Sequence, residues 1–295
     1  MFDAKNQDKI VFERTVAGEP HKGKVFVAIH SHLDDIPRYC AGTLARLIRE
    51  GYTGYIIRAS NDEQRGEAAA AENTARGESE HAAMAAALGI RAVYDFYYRD
   101  RCLSSISIQE FRFRLVFLLR RLKPDAVLSF SPRGGDEDDS DHLVTGCAVE
   151  DACRMSPARA AYPELSHAGL QPHPVPERYH FVCRPAQPFN RVIDISSTVE
   201  ERITAMVKST SRDGGHGSRL RAALAREGKR LPVLGNSDES ADREYIRNFM
   251  MKEQRTLGEQ YGVEFAEAFY YVDHRTSDEQ AEIDRYVREN AVSLH

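Results

Sequence analysis

Two short stretches of this chain concentrate side chains able to hold a cation and move a proton. One is His30-Ser31-His32-Leu33-Asp34-Asp35. The other runs from Arg133 through Gly134, Gly135 and the acidic run Asp136–Asp139 to Ser140, Asp141 and His142. His32 and Asp35 are three residues apart, so one tight turn can aim both side chains at a common point. His142 from the second stretch completes a His/Asp/His set, and three protein ligands leave a fourth position for water, the pattern of catalytic zinc. Zinc lowers the pKa of that water to about 7 and can polarise a carbonyl. Asp34 lies beside Asp35 but points elsewhere, which suits a general base. Asp141, next to His142, can orient an imidazole or balance local charge. The bland reading of Asp136–Asp139 is a solvated loop. A calcium loop is its runner-up, but the EF-hand pattern needs glycine at the sixth position, where Asp141 stands.

The surrounding elements explain why the two stretches should meet. Val25–Ile29 is a short continuous apolar run, as expected of a strand buried on both faces, and Ala126–Phe130 is another. Further strands are expected at Tyr52–Arg58 and Val93–Tyr97. Helices are expected at Thr43–Glu50 with Gly51 as a stop, at Glu78–Leu88, at Leu143–Met155, and from a capping box at Ser107 and Glu110 through Leu122. Strands alternating with helices imply βαβ units and a mostly parallel, Rossmann-like α/β sheet flanked by helices. In such sheets ligands bind beyond the carboxyl ends of strands at the topological switch point, where both His/Asp stretches fall.

The second half is less regular. His167–Glu177 reads as a surface loop and Ser209–Ser218 as a mobile one. Strands are expected at Tyr179–Cys183 and Val192–Ile195. A second capping box, Ser197 with Glu200, opens a helix through Val207, and helices follow at Arg219–Arg226, Arg243–Gln260 and Glu279–Glu289. The chain reads as one domain, residues 1–295, with a core over about 24–207 and an irregular C-terminal elaboration over 208–295.

Composition sets outer bounds. With 295 residues, 42% hydrophobic and 29% charged, the chain is globular rather than disordered. A net charge of -5 offers no basic field for nucleic acid. No apolar run approaches the roughly 20 residues of a membrane helix, and Met1–Glu13 lacks the apolar core of a signal peptide. Five scattered cysteines read as reduced, mostly buried thiols of a cytoplasmic protein. The segment Asp213–Ser218 lacks the ending of a P-loop, and His216 is a weak ligand candidate. The missing G-x-G-x-x-G and G-x-S-x-G patterns disfavour dinucleotide enzymes and serine hydrolases. Glu267 reads either as a buried ion-pair partner or as a site residue.

At these residues the sequence resembles the LmbE/PIG-L family of zinc-dependent deacetylases, which hydrolyse N-acetyl groups on N-acetylglucosamine conjugates. The family signature A-H-P-D-D-E appears as Ser31-His32-Leu33-Asp34-Asp35-Ile36, followed by Ala41-Gly42-Thr43 in place of G-G-T. The second signature, H-P-D-H, appears as Asp139-Ser140-Asp141-His142, and the likeness spans roughly Lys24 to Tyr271. It implies zinc, or another divalent metal, on His32, Asp35 and His142, with a zinc-bound water as nucleophile, Asp34 as general base and Asp141 as the acid beside the last ligand. The implied substrate is a small N-acylated amino-sugar conjugate, with Arg99 and Asp100 after the third strand as contacts. Ile36 replaces a glutamate, and Asp139 replaces a histidine that stabilises the tetrahedral intermediate, a task closed to an ionised carboxylate. His30 and Arg133 are candidates for the missing positive group. The same departures motivate a second reading, a repurposed relative that binds a sugar or other ligand without turnover. A homo-oligomer is compatible with this reading.

Overall fold

In the computed structural model the described residues are 10–64, 68–134, 137–210, 214–274 and 278–292. Gly135, Asp136 and residues 211–213 of the two expected loops, and the first nine residues of the chain, lie outside them.

In chain order the elements are β1 (Val11–Glu13), β2 (Val25–His30), α1 (Asp35–Tyr39), α2 (Ala41–Arg49), β3 (Thr53–Ser60), α3 (Ala70–Ala87), β4 (Ala92–Tyr98), α4 (Ile108–Leu122), β5 (Ala126–Ser129) and α5 (Ser140–Met155). They continue with α6 (Pro163–His167), β6 (Glu177–Phe181), β7 (Arg191–Asp194), α7 (Val199–Lys208), α8 (His216–Arg226), α9 (Asp238–Tyr245), α10 (Lys252–Gln260), β8 (Ala266–Asp273) and α11 (Asp278–Asn290). The strands form one sheet in the order β1-β7-β8-β6-β5-β2-β3-β4. All neighbours are parallel except the two pairs made by β8, which runs antiparallel between β6 and β7.

β2 is buried on both faces, and its alternation builds two cores. Phe26 and Ala28 join Leu44, Met84 and Ile203 on the side of α2, α3 and α7. Val27 and Ile29 join Phe111, Leu115 and Ala148 on the side of α4 and α5. The result is a helix–sheet–helix sandwich. From β2 the chain winds outward to β3 and β4, then returns to β5 on the other flank of β2, with Phe26 opposite Ala126 and Ala28 opposite Leu128. The switch point therefore lies between the carboxyl ends of β2 and β5, where the sequence places its two His/Asp stretches.

Several expectations shift. The Ser107 hydroxyl caps α4 by accepting from the Glu110 amide at 3.3 Å, which is half of the expected box; the Glu110 carboxylate pairs with Arg114 at 2.7 Å instead. The Ser197/Glu200 box does not form: α7 starts at Val199 after a tight turn over Ser196–Thr198, and the Thr198 hydroxyl donates instead to the Gly42 carbonyl at 2.8 Å. α3 begins eight residues before Glu78, at Ala70, because the alanine-rich stretch is helical. The helix expected over Arg243–Gln260 starts earlier, from a capping box of Ser237 and Ser240, and is interrupted by a π turn at Ile246–Met250. His167 closes α6 before the irregular stretch begins, and the stretch read as a mobile loop ends where α8 starts, at His216. β1 was not expected, and neither was β8, which comes from the expected elaboration yet occupies an interior position of the sheet.

Candidate metal centre

The turn after β2 is shaped by Asp35. Its Oδ2 accepts from the backbone amides of Ser31 at 3.0 Å and His32 at 2.6 Å, closing the loop at the start of α1. Asp62 takes the Leu33 amide at 3.2 Å and is itself held by Arg58 at 2.9 Å. The Ser31 hydroxyl donates to the Asp141 carbonyl at 3.1 Å and meets the Thr145 hydroxyl at 2.9 Å, stitching this turn to the start of α5. There Asp139 is the N-cap, its Oδ1 accepting from the Asp141 amide at 2.9 Å.

These constraints bring His32, Asp35 and His142 together, all buried, with one donor atom of each within 4.8 Å of the others. His32 Nδ1 lies 3.2 Å from His142 Nε2, which lies 3.2 Å from Asp35 Oδ1. Two ligand atoms on a tetrahedral cation with arms of 2.0–2.1 Å stand about 3.3 Å apart, so the spacing fits a metal. The far sides of the rings agree. His32 Nε2 faces Asp100 Oδ1 at 3.3 Å and Asp141 Oδ2 at 3.4 Å, carboxylates whose charge favours the proton on that nitrogen and the lone pair on Nδ1. His142 Nδ1 faces Glu137 Oε2 at 3.3 Å.

Electrostatics follow from the same contacts. Burial opposes the charged form of Asp35, but the imidazoles of His142 and His32 outweigh it and hold the carboxyl far below the usual carboxylate range. Burial would lower His142, yet Asp35 and Glu137 prevail and push it up to about 9. His30, wholly buried with His81 against it, is pushed down to about 3.

A cavity of about 310 Å³ opens over this cluster, lined by His32, Asp34, Asp35 and His142 and walled by Arg38, Tyr39, Asp138, Asp139 and Arg184. Asp34 Oδ2 lies 3.1 Å from Arg38 Nη1. The other sequence candidates do not line it. His30 is fully buried beneath the loop, donating from Nδ1 to the His32 carbonyl at 2.7 Å. Asp100 stands behind His32 rather than in the cavity, and Arg99 is on the surface against Glu63 at 2.7 Å. Arg133 packs over the Tyr270 ring. Asp141 does not line the cavity either. It is fully buried, accepts from the amides of Arg101 at 2.8 Å and Leu103 at 3.1 Å, and orients His32 rather than its neighbour His142.

Sequence reasoning missed Arg38, Tyr39 and Arg184. Arg38 and Tyr39 stand one helical turn beyond Asp34 and Asp35, a periodicity that points at the same mouth. Arg184 carried no such signal, since it arrives from the irregular stretch after β6. Glu267 is structural: it accepts from the amides of Gly42 at 3.0 Å and Thr43 at 2.9 Å at the start of α2 and pairs with buried Arg202. His216 stacks on Tyr245 and belongs to no metal-type cluster among the described residues. All five cysteines are free thiols, with Cys147 exposed. No described helix is long and apolar enough to cross a membrane.

Fold and site together define an α/β protein with a His/Asp/His metal-type centre at the switch point of its sheet. Residues 27–153 match the PIG-L family model, described as GlcNAc-PI de-N-acetylase, and that segment contains His32, Asp35 and His142. Among solved structures the chain is similar to N,N'-diacetylchitobiose deacetylase from Pyrococcus horikoshii (20% identity, 88% of each chain covered, TM-score 0.68). It is also similar to the conserved protein TT1542 from Thermus thermophilus (21% identity, 83% of this chain and 93% of that one, TM-score 0.60). A third is GalB, the 4-carboxy-2-hydroxymuconate hydratase from Pseudomonas putida (20% identity, 86% and 98% covered, TM-score 0.62). At such identities these similarities establish the fold. A deacetylase and a hydratase share it, so the reaction has to be argued from the site.

Proposed function

We propose that the protein is a metal-dependent N-deacylase that removes an N-acyl group, N-acetyl above all, from a small amino-sugar conjugate. The observation that carries this reading is the donor triangle of His32, Asp35 and His142, two of its edges at 3.2 Å and the third at 3.8 Å, with Asp34 beside it in the same cavity wall. The family match and the deacetylase among the structural neighbours support the choice of reaction.

His32, Asp35 and His142 would hold the cation, zinc or a similar divalent metal. Bound there, it supplies a Lewis acid that polarises an acyl carbonyl and acidifies water. Asp34 takes the proton from the attacking water and, as a carboxylic acid, returns it to the departing amine, so amide and water become carboxylate and amine. Arg38 holds the Asp34 carboxylate in place. The positive side chains in the cavity wall are Arg38 and Arg184, not His30 or Arg133, so charge developing on the acyl oxygen meets these two guanidiniums. Five free thiols support a reducing, cytoplasmic setting.

Asp139 in the cavity wall favours the second reading, ligand binding without turnover, because a carboxylate repels an oxyanion. A panel of N-acyl amino sugars assayed beside elemental analysis of the same sample separates the two. About one divalent ion per chain with release of acetate is the expected result. Full metal occupancy with no hydrolysis across the panel would leave the binding protein.

A further inference from the structure

His142 can serve a cation from only one ring nitrogen, and only while the other keeps the proton. Its Nε2 is committed to the cluster, 3.2 Å from both His32 Nδ1 and Asp35 Oδ1. Phe130 stacks on the ring at 3.9 Å, with planes 13° apart, which fixes the ring plane but not the tautomer. Among the described residues, the acidic group facing Nδ1 is Glu137, 3.3 Å away, with its side chain only 5% exposed. Glu137 is anchored on its other oxygen, which accepts from the Asp139 amide at 3.1 Å and from Arg184 at 3.5 Å. The residue after the aspartate pair, Ile36, is wholly buried in the apolar core and contributes no carboxylate to either imidazole.

From this arrangement we infer that Glu137 is a positioning residue for the metal centre. Its carboxylate holds the proton of His142 on Nδ1 and so presents the Nε2 lone pair to the cation. The two imidazoles are then gripped from behind in the same manner by different elements, His32 by Asp100 and Asp141, and His142 by Glu137. The inference rests on the proposed metal binding at His32, Asp35 and His142. The competing use of the same side chains is a second cation held by Glu137, Cys183 and His142, which each offer a donor atom within 4.8 Å of the others.

The test is Zn²⁺ and Co²⁺ affinity, measured by competition with a chelating dye on the full chain. The panel is the unmodified protein, Glu137→Ala, Glu137→Gln, Cys183→Ser and His142→Ala. Glu137→Ala is expected to weaken binding about 10–100-fold, the range for loss of such a partner. Glu137→Gln, whose amide oxygen can still accept from Nδ1, should lose less, and it decides the matter should the alanine variant not fold. Cys183→Ser should bind as the unmodified protein does, and the Co²⁺ form should show no sulfur-to-cobalt charge-transfer band. In the NMR spectrum of the Co²⁺ protein, the shifted His142 Nδ1–H signal should be lost to solvent exchange in Glu137→Ala. Unchanged affinity in both Glu137 variants overturns the inference. So does a second Co²⁺ equivalent whose thiolate band disappears in Cys183→Ser, since Glu137 would then be a ligand. Absence of metal from the unmodified protein, or no loss of affinity in His142→Ala, sinks the proposed function itself and takes this inference with it.

Discussion

His32 and His142 stand 110 residues apart in sequence, yet their Nδ1 and Nε2 atoms face each other at 3.2 Å with Asp35 against both. Without a cation, that geometry needs a proton between the rings and the carboxylate. Its energetic trace is the upward shift of His142 to about 9 under Asp35 and Glu137. A neutral ring is what a metal requires, so cation and proton compete for the same lone pair.

The stability of the metal-free protein should therefore peak near pH 6.5. Above that value His142 dominates: its folded pKa exceeds the unfolded 6.5, so its stabilisation is complete below pH 6.5 and is lost as pH rises through about 9. Below it, burial keeps His30 neutral to about 3, so the unfolded chain binds an extra proton and up to about 1.4 kcal/mol disappears per pH unit of acidification. Metal-loaded protein should lack the alkaline loss, because binding strengthens as His142 deprotonates. Thermal melts from pH 5 to 9, with and without chelator, test this; parallel curves on the alkaline side would refute the competition.

Asp34→Asn should separate binding from turnover. The amide keeps the shape and leaves His32, Asp35 and His142 in place, so metal content should stay within error of the unmodified protein. A carboxamide cannot take a proton from water, and hydrolysis of an N-acetyl amino sugar should fall about 10²–10⁴-fold. Elemental analysis and an acetate-release assay on one preparation decide it, and a variant that retains most of its activity removes Asp34 from the role of base.

The parts of this architecture that follow local rules were legible in the sequence. The apolar runs of β2 and β5, the Ser107 cap and the three-residue spacing of His32 and Asp35 each encode their geometry within a few neighbours. What could not be read depends on long-range closure. β8 has no alternation that distinguishes it, because its place between β6 and β7 is fixed by antiparallel pairing with strands far back in the chain. The Ser197/Glu200 box failed because Thr198 spends its hydroxyl on α2, a partner no local window contains. Asp141 could be recognised as an acid beside a histidine, and Asp100 only through the family resemblance, as a substrate contact; the fold turns both toward His32. Arg184 enters the cavity from a loop with no periodicity at all.

Glu267 tests the claim that β8 belongs to the structural heart of the domain. Its carboxylate satisfies two amides at the start of α2 and pairs with Arg202, all out of solvent. Glu267→Ala strands a buried guanidinium and two N–H groups, and about 3–5 kcal/mol of stability should be lost, as when one partner of a buried pair is removed. Denaturant titration reads this directly. A loss under about 1 kcal/mol would mean that water replaces the carboxylate and that the contact is not structural.

Asp141→Asn addresses how firmly the His32 tautomer is set. The carboxylate accepts from the Arg101 and Leu103 amides and faces His32 Nε2 at 3.4 Å. An asparagine offers one acceptor oxygen where two are used, so its NH₂ must turn either toward a backbone N–H or toward the imidazole. The first choice leaves a buried donor unmet and costs about 1–3 kcal/mol of stability. The second presents a donor to Nε2, which favours moving the ring proton to Nδ1, the atom that should face the cation. Asp100 still faces Nε2 at 3.3 Å, so the single variant should lose metal affinity about tenfold, at the low end for such partners. The double variant Asp100→Asn with Asp141→Asn should fall well below it. If the double variant binds metal as tightly as either single one, the two acids do not share the His32 proton.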